Sequence, residues 1–227
     1  MKTVLIVDCE SQYTQLIARC VRNLGVYCRI SHHSKLDYEL KENIVGLIFS
    51  GSWSSVHDED APKIEWGKLN SVPVLTICYS AQSLALYYSA DILSCSDNSE
   101  FGRTPITLLG QEPPIWRDIP KTLDVWMSHG DSISVKSDEV QVIARNELGA
   151  TSAFTTGNKI GLLFHPEVHH TKEGKNIIKN FLDMCGCDYD WTPESYIENT
   201  IRRIKEQVGT DGVIMAVSGG VDSTVAA

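Results

Sequence analysis

The chain has 227 residues, of which 42% are hydrophobic and 22% charged, and its formal net charge at pH 7 is −9. These proportions are those of an ordinary soluble globular protein, and the length allows one domain or two. Binding to a phosphate backbone needs clustered Lys and Arg, so we expect no nucleic acid as a partner. The sequence lacks an apolar run of the roughly 20 residues that span a bilayer, so we expect no membrane association.

Seven cysteines are scattered along the chain, at positions 9, 20, 28, 78, 95, 185 and 187. An odd number without regular spacing does not suggest a disulfide framework, so we expect a reducing, cytoplasmic location. The close pair at 185 and 187 has no second pair that would complete a zinc site. Adjacent histidines at 32–33 and 169–170 have no carboxylate or cysteine pattern around them in sequence. We therefore predict surface histidines and no metal.

In its first part the sequence alternates short apolar runs with amphipathic stretches, which is typical of a sheet with helices on its faces. Strands are predicted at residues 3–8, 26–30, 46–50 and 72–78, and helices at 12–24 and 83–89. Beyond residue 104 the pattern indicates hairpins, at 104–109, 124–128, 140–145 and 152–155. A core strand at 160–164 and a helix at 173–184 follow. The predicted fold is α/β, an open mostly parallel sheet flanked by helices with an antiparallel hairpin extension.

A domain boundary is predicted near residue 188, where turn-forming and polar residues interrupt the periodicity. Residues 1–188 would form the first domain, and 189–227 a linker helix and the N-terminal fragment of a second α/β domain. Thr192 as cap and Pro193 at the first position predict a helix to about residue 208. A strand at 212–217 is expected next, followed by a turn that opens a helix. Because a lone strand and a short helix have nothing to pack against, we expect the chain to be a piece of a longer protein.

Cys78 ends an apolar run and precedes a helix-favouring stretch. A strand that runs directly into a helix places the junction side chain at the carboxyl edge of the sheet, near the positive end of the helix. A cysteine in that position can be held as the reactive thiolate. Far downstream, His165 and Glu167 offer a base and a carboxylate to orient it. These three side chains are the components of a nucleophile for acyl transfer.

Several ordered segments resemble the class I glutamine amidotransferases and, within them, the GMP synthase branch. The segments that carry this resemblance are residues 11–19, 25–27, 77–82, 100–104, 126–131 and 164–171. The resemblance implies that glutamine is the substrate and that Cys78 forms a thioester with it. His165 would transfer protons and Glu167 would orient the imidazole, and no cofactor would be needed for glutamine hydrolysis.

The same resemblance implies the surroundings of the nucleophile. The backbone N–H groups of Ser52 and Tyr79 would form the oxyanion hole. A carboxylate suits the α-ammonium group of glutamine, so Asp131 is expected to bind it. We interpret His129 as a structural turn residue at the site rather than as a base. The residues predicted to contact glutamine are Gly51, Gln82, Ser128, His129 and Asp131.

Near the C-terminus, Ser-Gly-Gly-Val-Asp-Ser-Thr at 218–224 resembles the pyrophosphate-binding loop of the ATP pyrophosphatase family. Glycines let successive N–H groups point at one anion, and the following helix adds its positive end. The resemblance implies that a longer protein uses ATP and Mg to adenylate XMP, and that ammonia converts the adenylated XMP to GMP. It also implies that the longer protein forms a homodimer. The residues predicted to bind ATP are Ser218, Gly219, Gly220, Val221, Asp222, Ser223 and Thr224.

The sequence departs from the family pattern around the glutamine site. Thr76 and Ser80 replace the glycines that usually flank the nucleophile, and Ser52 and Trp53 replace a Gly-Pro pair. Cys-Glu at positions 9–10 stands where Phe-Gly is usual. Two functions therefore remain open: a working glutaminase, or a catalytically weakened domain with a regulatory or structural role toward a synthetase domain. A stand-alone γ-glutamyl hydrolase is disfavoured by the loop at 218–224.

Overall fold

The computed structural model describes residues 2–38, 40, 43–94, 100–110, 113–135 and 137–226. By its internal contacts the chain divides into two compact units, Met1–Asp190 and Trp191–Ala227. The strands, in chain order, are β1 (Thr3–Asp8), β2 (Cys28–His32), β3 (Ile44–Phe49), β4 (Val74–Ile77), β5 (Asp91–Ser94), β6 (Glu100–Leu108), β7 (Thr122–His129), β8 (Asp131–Ser134), β9 (Gln141–Asn146), β10 (Thr151–Thr156) and β11 (Lys159–Leu162). The helices are α1 (Thr14–Asn23), α2 (Tyr79–Tyr87), α3 (Gly174–Met184), α4 (Pro193–Val208) and α5 (Val221–Ala226).

The main sheet of the first unit has the strand order β2-β1-β3-β4-β11-β10-β9-β6-β7. From β2 to β11 the neighbouring strands run parallel, and from β11 to β7 they run antiparallel. The predicted α/β sheet with an antiparallel extension is therefore confirmed. A second, two-stranded sheet pairs β5 with β8, and sequence reasoning missed both of these strands. Because the parallel strands point the same way, the loops after β1, β3, β4 and β11 meet at one edge of the sheet.

The helices of the first unit cover the sheet through apolar stripes. In α1 the buried residues are Thr14, Ile17, Ala18 and Val21, and this spacing places them on one helical face against β1 and β2. By contrast, α2 is buried almost all round, because it packs on β4 and β11 and also against the β5–β8 pair. Among the described residues, no helix combines the length and apolar character that crossing a bilayer would require.

In the second unit, α4 begins where the sequence predicted. The Thr192 side chain accepts a hydrogen bond from the Ser195 backbone N–H, and the Ser195 hydroxyl accepts one from the Thr192 backbone N–H. This reciprocal pair satisfies two backbone donors at the start of the helix. The prediction of a strand at 212–217 is wrong. That segment has no strand pairing, and Ile214 in it is fully exposed, since no neighbouring strand is present to pair with it.

Candidate active site

Cys78 stands at the junction between β4 and α2, as predicted, in a strained backbone conformation. Its φ of 53° and ψ of −114° lie outside the regions that L residues usually occupy. The backbone N–H of Cys78 donates to the carbonyl of Leu162 on β11, at 2.7 Å. The Sγ atom lies 3.5 Å from the backbone oxygen of Ser128. This sharp turn is the geometry of a nucleophile elbow, which presents the thiol at the end of the sheet beside the N-terminus of α2.

The two residues that replace the usual glycines fit into the elbow through their hydroxyl groups. Thr76 Oγ1 donates to the Ile160 carbonyl at 3.0 Å, within the sheet. Ser80 Oγ accepts a hydrogen bond from the Ile77 N–H at 2.9 Å and lies 3.1 Å from the Phe49 carbonyl oxygen. Both side chains are fully buried. Because each buried hydroxyl has a partner, neither departure disrupts the turn around the nucleophile, and the alternative of a weakened domain is not favoured.

His165 is held next to Cys78 by three hydrogen bonds of its own. Its Nδ1 lies 2.7 Å from Oε1 of Glu167, its backbone N–H donates to the Trp126 carbonyl, and its carbonyl accepts from Thr171 Oγ1. The side chains of His165 and Glu167 are both buried. With Nδ1 engaged by the carboxylate, Nε2 is the ring nitrogen left for the thiol. The predicted Cys78, His165 and Glu167 are thus brought together, although they come from two distant parts of the sequence.

The surroundings of His165 favour its charged form. Burial by itself lowers the pKa of the imidazole, but the hydrogen bonds to Cys78 and Glu167, together with their charges, outweigh it and raise the pKa to about 10. An imidazole with that pKa carries a positive charge at neutral pH. A positive charge next to Cys78 would stabilise negative charge that develops on the sulfur during its attack.

The loop after β3 approaches the catalytic pair closely. A Cβ built on Gly51 would lie 3.4 Å from Cys78 Cβ and 3.4 Å from His165 Cε1. Ser52 follows, and it is not among the residues with positive φ in the described part of the chain, so its β-carbon causes no left-handed strain. Within that same part, the backbone N–H groups of Ser52 and Tyr79 donate to no protein acceptor. Two free donors beside a nucleophile are what an oxyanion hole requires.

Two adjoining cavities of about 200 and 370 Å³ open beside Cys78. The larger one is lined by most of the residues that the resemblance assigned to glutamine, namely Gln82, Ser128, His129 and Asp131, as well as by Ser52 and Tyr79. Trp53 and Phe101 also line it, and they are 78% and 70% exposed. The tryptophan that replaces the family's proline therefore lies at the rim and leaves the space around the thiol open.

Hydrogen bonds hold the polar residues of the larger cavity in position. Gln82 Nε2 donates to the backbone carbonyl of Asp131 at 2.8 Å, so its amide fixes the turn that carries the carboxylate. Asp131 Oδ2 accepts a hydrogen bond from Ser55 Oγ at 2.7 Å. Sequence reasoning missed Ser55, because nothing in its local sequence points to a carboxylate 76 residues away. His129 is buried, with Nε2 3.4 Å from Oε2 of Glu100.

The loop at 218–224 belongs to the second unit and has a compact backbone. Gly219 has a φ of 81°, a conformation that favours glycine. The hydroxyl groups of Ser218 and Ser223 lie 3.1 Å apart, and Thr224 Oγ1 donates to the Gly220 carbonyl. The short helix α5 begins directly after the glycines. The loop thus has the glycine-to-helix form that was predicted, and its residues are exposed except Ser223, which is half-buried.

Comparison with known proteins identifies a matching family and similar relatives. The family Glutamine amidotransferase class-I matches residues 5–185. Among similar curated proteins, the GMP synthase [glutamine-hydrolyzing] of Porphyromonas gingivalis is 43% identical over 230 residues, covering 100% of this chain and 45% of that protein. The protein of the same name from Cytophaga hutchinsonii is 39% identical, covering 99% of this chain and 44% of the relative. The chain thus spans less than half the length of these relatives.

Solved structures have the same fold. A protein from Thermoplasma acidophilum, described as one component of a GMP synthase, is similar to this chain with a TM-score of 0.70 and 28% identity, covering 88% of this chain and 98% of that one. A glutamine amidotransferase from Thermotoga maritima has a TM-score of 0.61 at 18% identity, covering 90% and 93%. At that identity the second likeness bears on the fold alone.

Proposed function

Because the chain belongs to the class I glutamine amidotransferase family, we propose that it hydrolyses glutamine to glutamate and ammonia through a thioester on Cys78. The observation that carries this proposal is the placement of His165 between Cys78 and Glu167 at the end of the sheet. A thiol, a base and an orienting carboxylate are the groups that acyl transfer needs.

In the first half-reaction, the Cys78 sulfur attacks the side-chain amide carbon of glutamine. The amide oxygen becomes an oxyanion, which the N–H groups of Ser52 and Tyr79 would stabilise. His165 Nε2, which holds the thiol proton, gives it to the departing nitrogen, so the C–N bond breaks and ammonia leaves. Glu167 keeps the imidazole oriented throughout, because it engages Nδ1 at 2.7 Å.

In the second half-reaction, water attacks the thioester carbon while His165 accepts a proton from it. The C–S bond breaks, the thiolate of Cys78 is restored and glutamate is released. The carboxylate of Asp131 is proposed to bind the α-ammonium group of glutamine. Gln82 donates a hydrogen bond to the Asp131 backbone carbonyl and Ser55 donates one to the carboxylate, so both hold Asp131 in position. Gly51 leaves room for the reacting carbon beside the catalytic pair.

We further propose that this chain is the glutaminase part of a longer protein in which the ammonia aminates XMP to GMP. The similarity to full-length GMP synthases, of which the chain covers about 45%, supports this. The loop at 218–224 is proposed to begin the domain that binds ATP with Mg, since its glycines and following helix suit a phosphate. The six cysteines that the structure describes carry free thiols, which supports a reducing, cytoplasmic location.

The proposal is tested by measuring glutamate and ammonia released from glutamine by the chain and by a Cys78→Ala variant. We expect equal amounts of the two products from the parent chain and none above background from Cys78→Ala. Cys20→Ala, in which a half-buried thiol on α1 is removed, is the matched control and should retain full turnover. Equal release by the parent and by Cys78→Ala would overturn the proposal.

A further inference from the structure

The ends of β1 and β2 bring a carboxylate and two imidazoles together. Asp8 at the end of β1 pairs with His32 at the end of β2, so Glu10, two residues further on, lies at the same edge. β2 ends at His32, and one turn of 3-10 helix begins at His33. Because the chain leaves the strand at this point, the two histidines do not alternate sides, and their ring centroids are 4.3 Å apart.

The spacing of the three side chains matches that of metal ligands. Oε1 of Glu10 lies 3.6 Å from Nε2 of His32 and 3.8 Å from Nε2 of His33. One ligand atom from each of the three residues falls within 4.8 Å of the other two. A tetrahedral Zn²⁺ ion with bonds of about 2.0–2.1 Å holds its ligand atoms roughly 3.4 Å apart. Small rotations of these side chains would therefore close the cluster around an ion.

Hydrogen bonds hold the His32 ring and the loop of Glu10 on the sides that face away from the cluster. Nδ1 of His32 lies 2.8 Å from Ser34 Oγ and accepts a hydrogen bond from the Ser34 backbone N–H at 3.3 Å. Metal binding through Nε2 needs the tautomer in which Nδ1 carries the proton and donates it to the Ser34 hydroxyl, and the bond from the Ser34 backbone N–H is then lost. The backbone N–H of Glu10 donates to Oδ1 of Asp8 at 3.0 Å, which holds the loop that presents the carboxylate.

We propose that Glu10, His32 and His33 form a binding site for a divalent transition-metal ion, with Zn²⁺ as the ion to which two imidazoles and one carboxylate are well suited. The side chains of Glu10 and His32 are each 42% exposed, so the ion can enter from solvent and keep a bound water. It would join the loop after β1 to the end of β2. Glu10 also lines the 200 Å³ cavity with Cys78, so the ion would fix one wall of the cleft.

The experiment is a calorimetric titration with zinc chloride, using the Cys78→Ala chain so that the catalytic thiol cannot bind the metal. We expect His33→Ala and Glu10→Gln, made separately in this background, to remove one equivalent of bound Zn²⁺. Ser34→Ala should raise the Kd of that one Zn²⁺ ion by about 10-fold, because it removes the hydroxyl partner of His32 Nδ1. His169→Ala changes a histidine of the other adjacent pair and should leave binding unchanged.

Circular dichroism of each variant verifies that it is folded, which is expected because the changed side chains are at least partly exposed. The proposal is overturned if the Cys78→Ala chain fails to bind one equivalent of Zn²⁺. It is equally overturned if His33→Ala and Glu10→Gln bind Zn²⁺ with the stoichiometry and affinity of their parent. The experiment measures Zn²⁺ binding only, so its result does not depend on whether the chain hydrolyses glutamine.

Discussion

Ser55 Oγ donates a 2.7 Å hydrogen bond to Oδ2 of Asp131, which joins the loop after β3 to the first residue of β8 at the wall of the same cavity. The bond fixes the carboxylate that is proposed to bind the α-ammonium group of glutamine. It also restricts the loop that follows Gly51 and Ser52. Substrate binding and the oxyanion hole are therefore connected through one serine hydroxyl.

Ser55→Ala should raise KM for glutamine by about 10-fold and change kcat much less, because the lost hydrogen bond acts on substrate positioning. Steady-state kinetics of glutamate release measure both constants. Ser55→Thr keeps a hydroxyl at this position and should restore most of the affinity. A fall in kcat with KM unchanged would show that Ser55 acts on the chemical step instead.

Glu167→Gln should lower kcat by about 10²–10⁴-fold, because the neutral amide no longer orients and stabilises the imidazolium of His165. KM should change little, since the carboxylate is fully buried behind the histidine. The rate at saturating glutamine is the measurement. Activity within about threefold of the parent would contradict the role given to Glu167.

The raised pKa of His165 also predicts a pH dependence of stability. In the folded chain this pKa is about 10, whereas a free histidine has a value near 6.5. Since the folded value is the higher, protonation of His165 contributes fully to the unfolding free energy below about pH 6.5 and progressively less as the pH approaches 10. Between these pH values the free energy of unfolding, measured with urea, should fall more steeply for the parent than for Glu167→Gln. Equal slopes would refute the link between Glu167 and the pKa of His165.

Gly51→Ala tests how closely the loop after β3 approaches the catalytic pair. The added Cβ would lie 3.4 Å from both Cys78 Cβ and His165 Cε1, the near limit of ordinary van der Waals contact, so neither group would have room to move toward the loop. We expect a loss of kcat/KM of about 10-fold, because small displacements of reacting groups are costly. Gly212→Ala adds a Cβ that meets nothing within 4 Å and serves as the control. Equal kcat/KM for the two variants would mean that the loop moves away from Cys78 and His165 without loss of activity.

Ser80→Ala should destabilise the fold by about 1–3 kcal/mol, because the buried Ile77 N–H loses its acceptor. Denaturant unfolding followed by circular dichroism measures this change. Ser71→Ala, at an exposed serine, should alter stability by no more than about 0.5 kcal/mol. If Ser80→Ala were as stable as the parent, the hydroxyl would not be needed to build the elbow.

Much of the fold could be predicted from sequence, because its elements carry strong local signals. The parallel strands are continuous apolar runs, and the start of α4 is indicated by Thr192 and Pro193. β5 and β8 were missed because their sequences, Asp-Ile-Leu-Ser and Asp-Ser-Ile-Ser, are not continuous apolar runs and they pair with each other apart from the main sheet. The strand expected at 212–217 was wrong because an apolar sequence needs a neighbouring strand before it can pair.

The candidate site was predictable only where a residue resembled a family motif. Cys78 and His165 could be identified in this way, and the structure places them side by side. Ser55 and its contact to Asp131 could not be, since a single serine carries no local signal. Similarly, no metal site was expected at His32–His33, because the nearest carboxylate, Glu10, comes from the end of a different strand.

The most direct test of the proposed mechanism is to expose the chain to an electrophilic glutamine analogue and to locate the adduct by peptide mass spectrometry. A nucleophile held at the elbow beside His165 should give one adduct per chain, on Cys78, and excess glutamine should protect it. The Cys78→Ala chain should remain unlabelled. An unmodified Cys78, or a label spread over the other cysteines and not reduced by glutamine, would contradict a glutaminase that acts through this thiol.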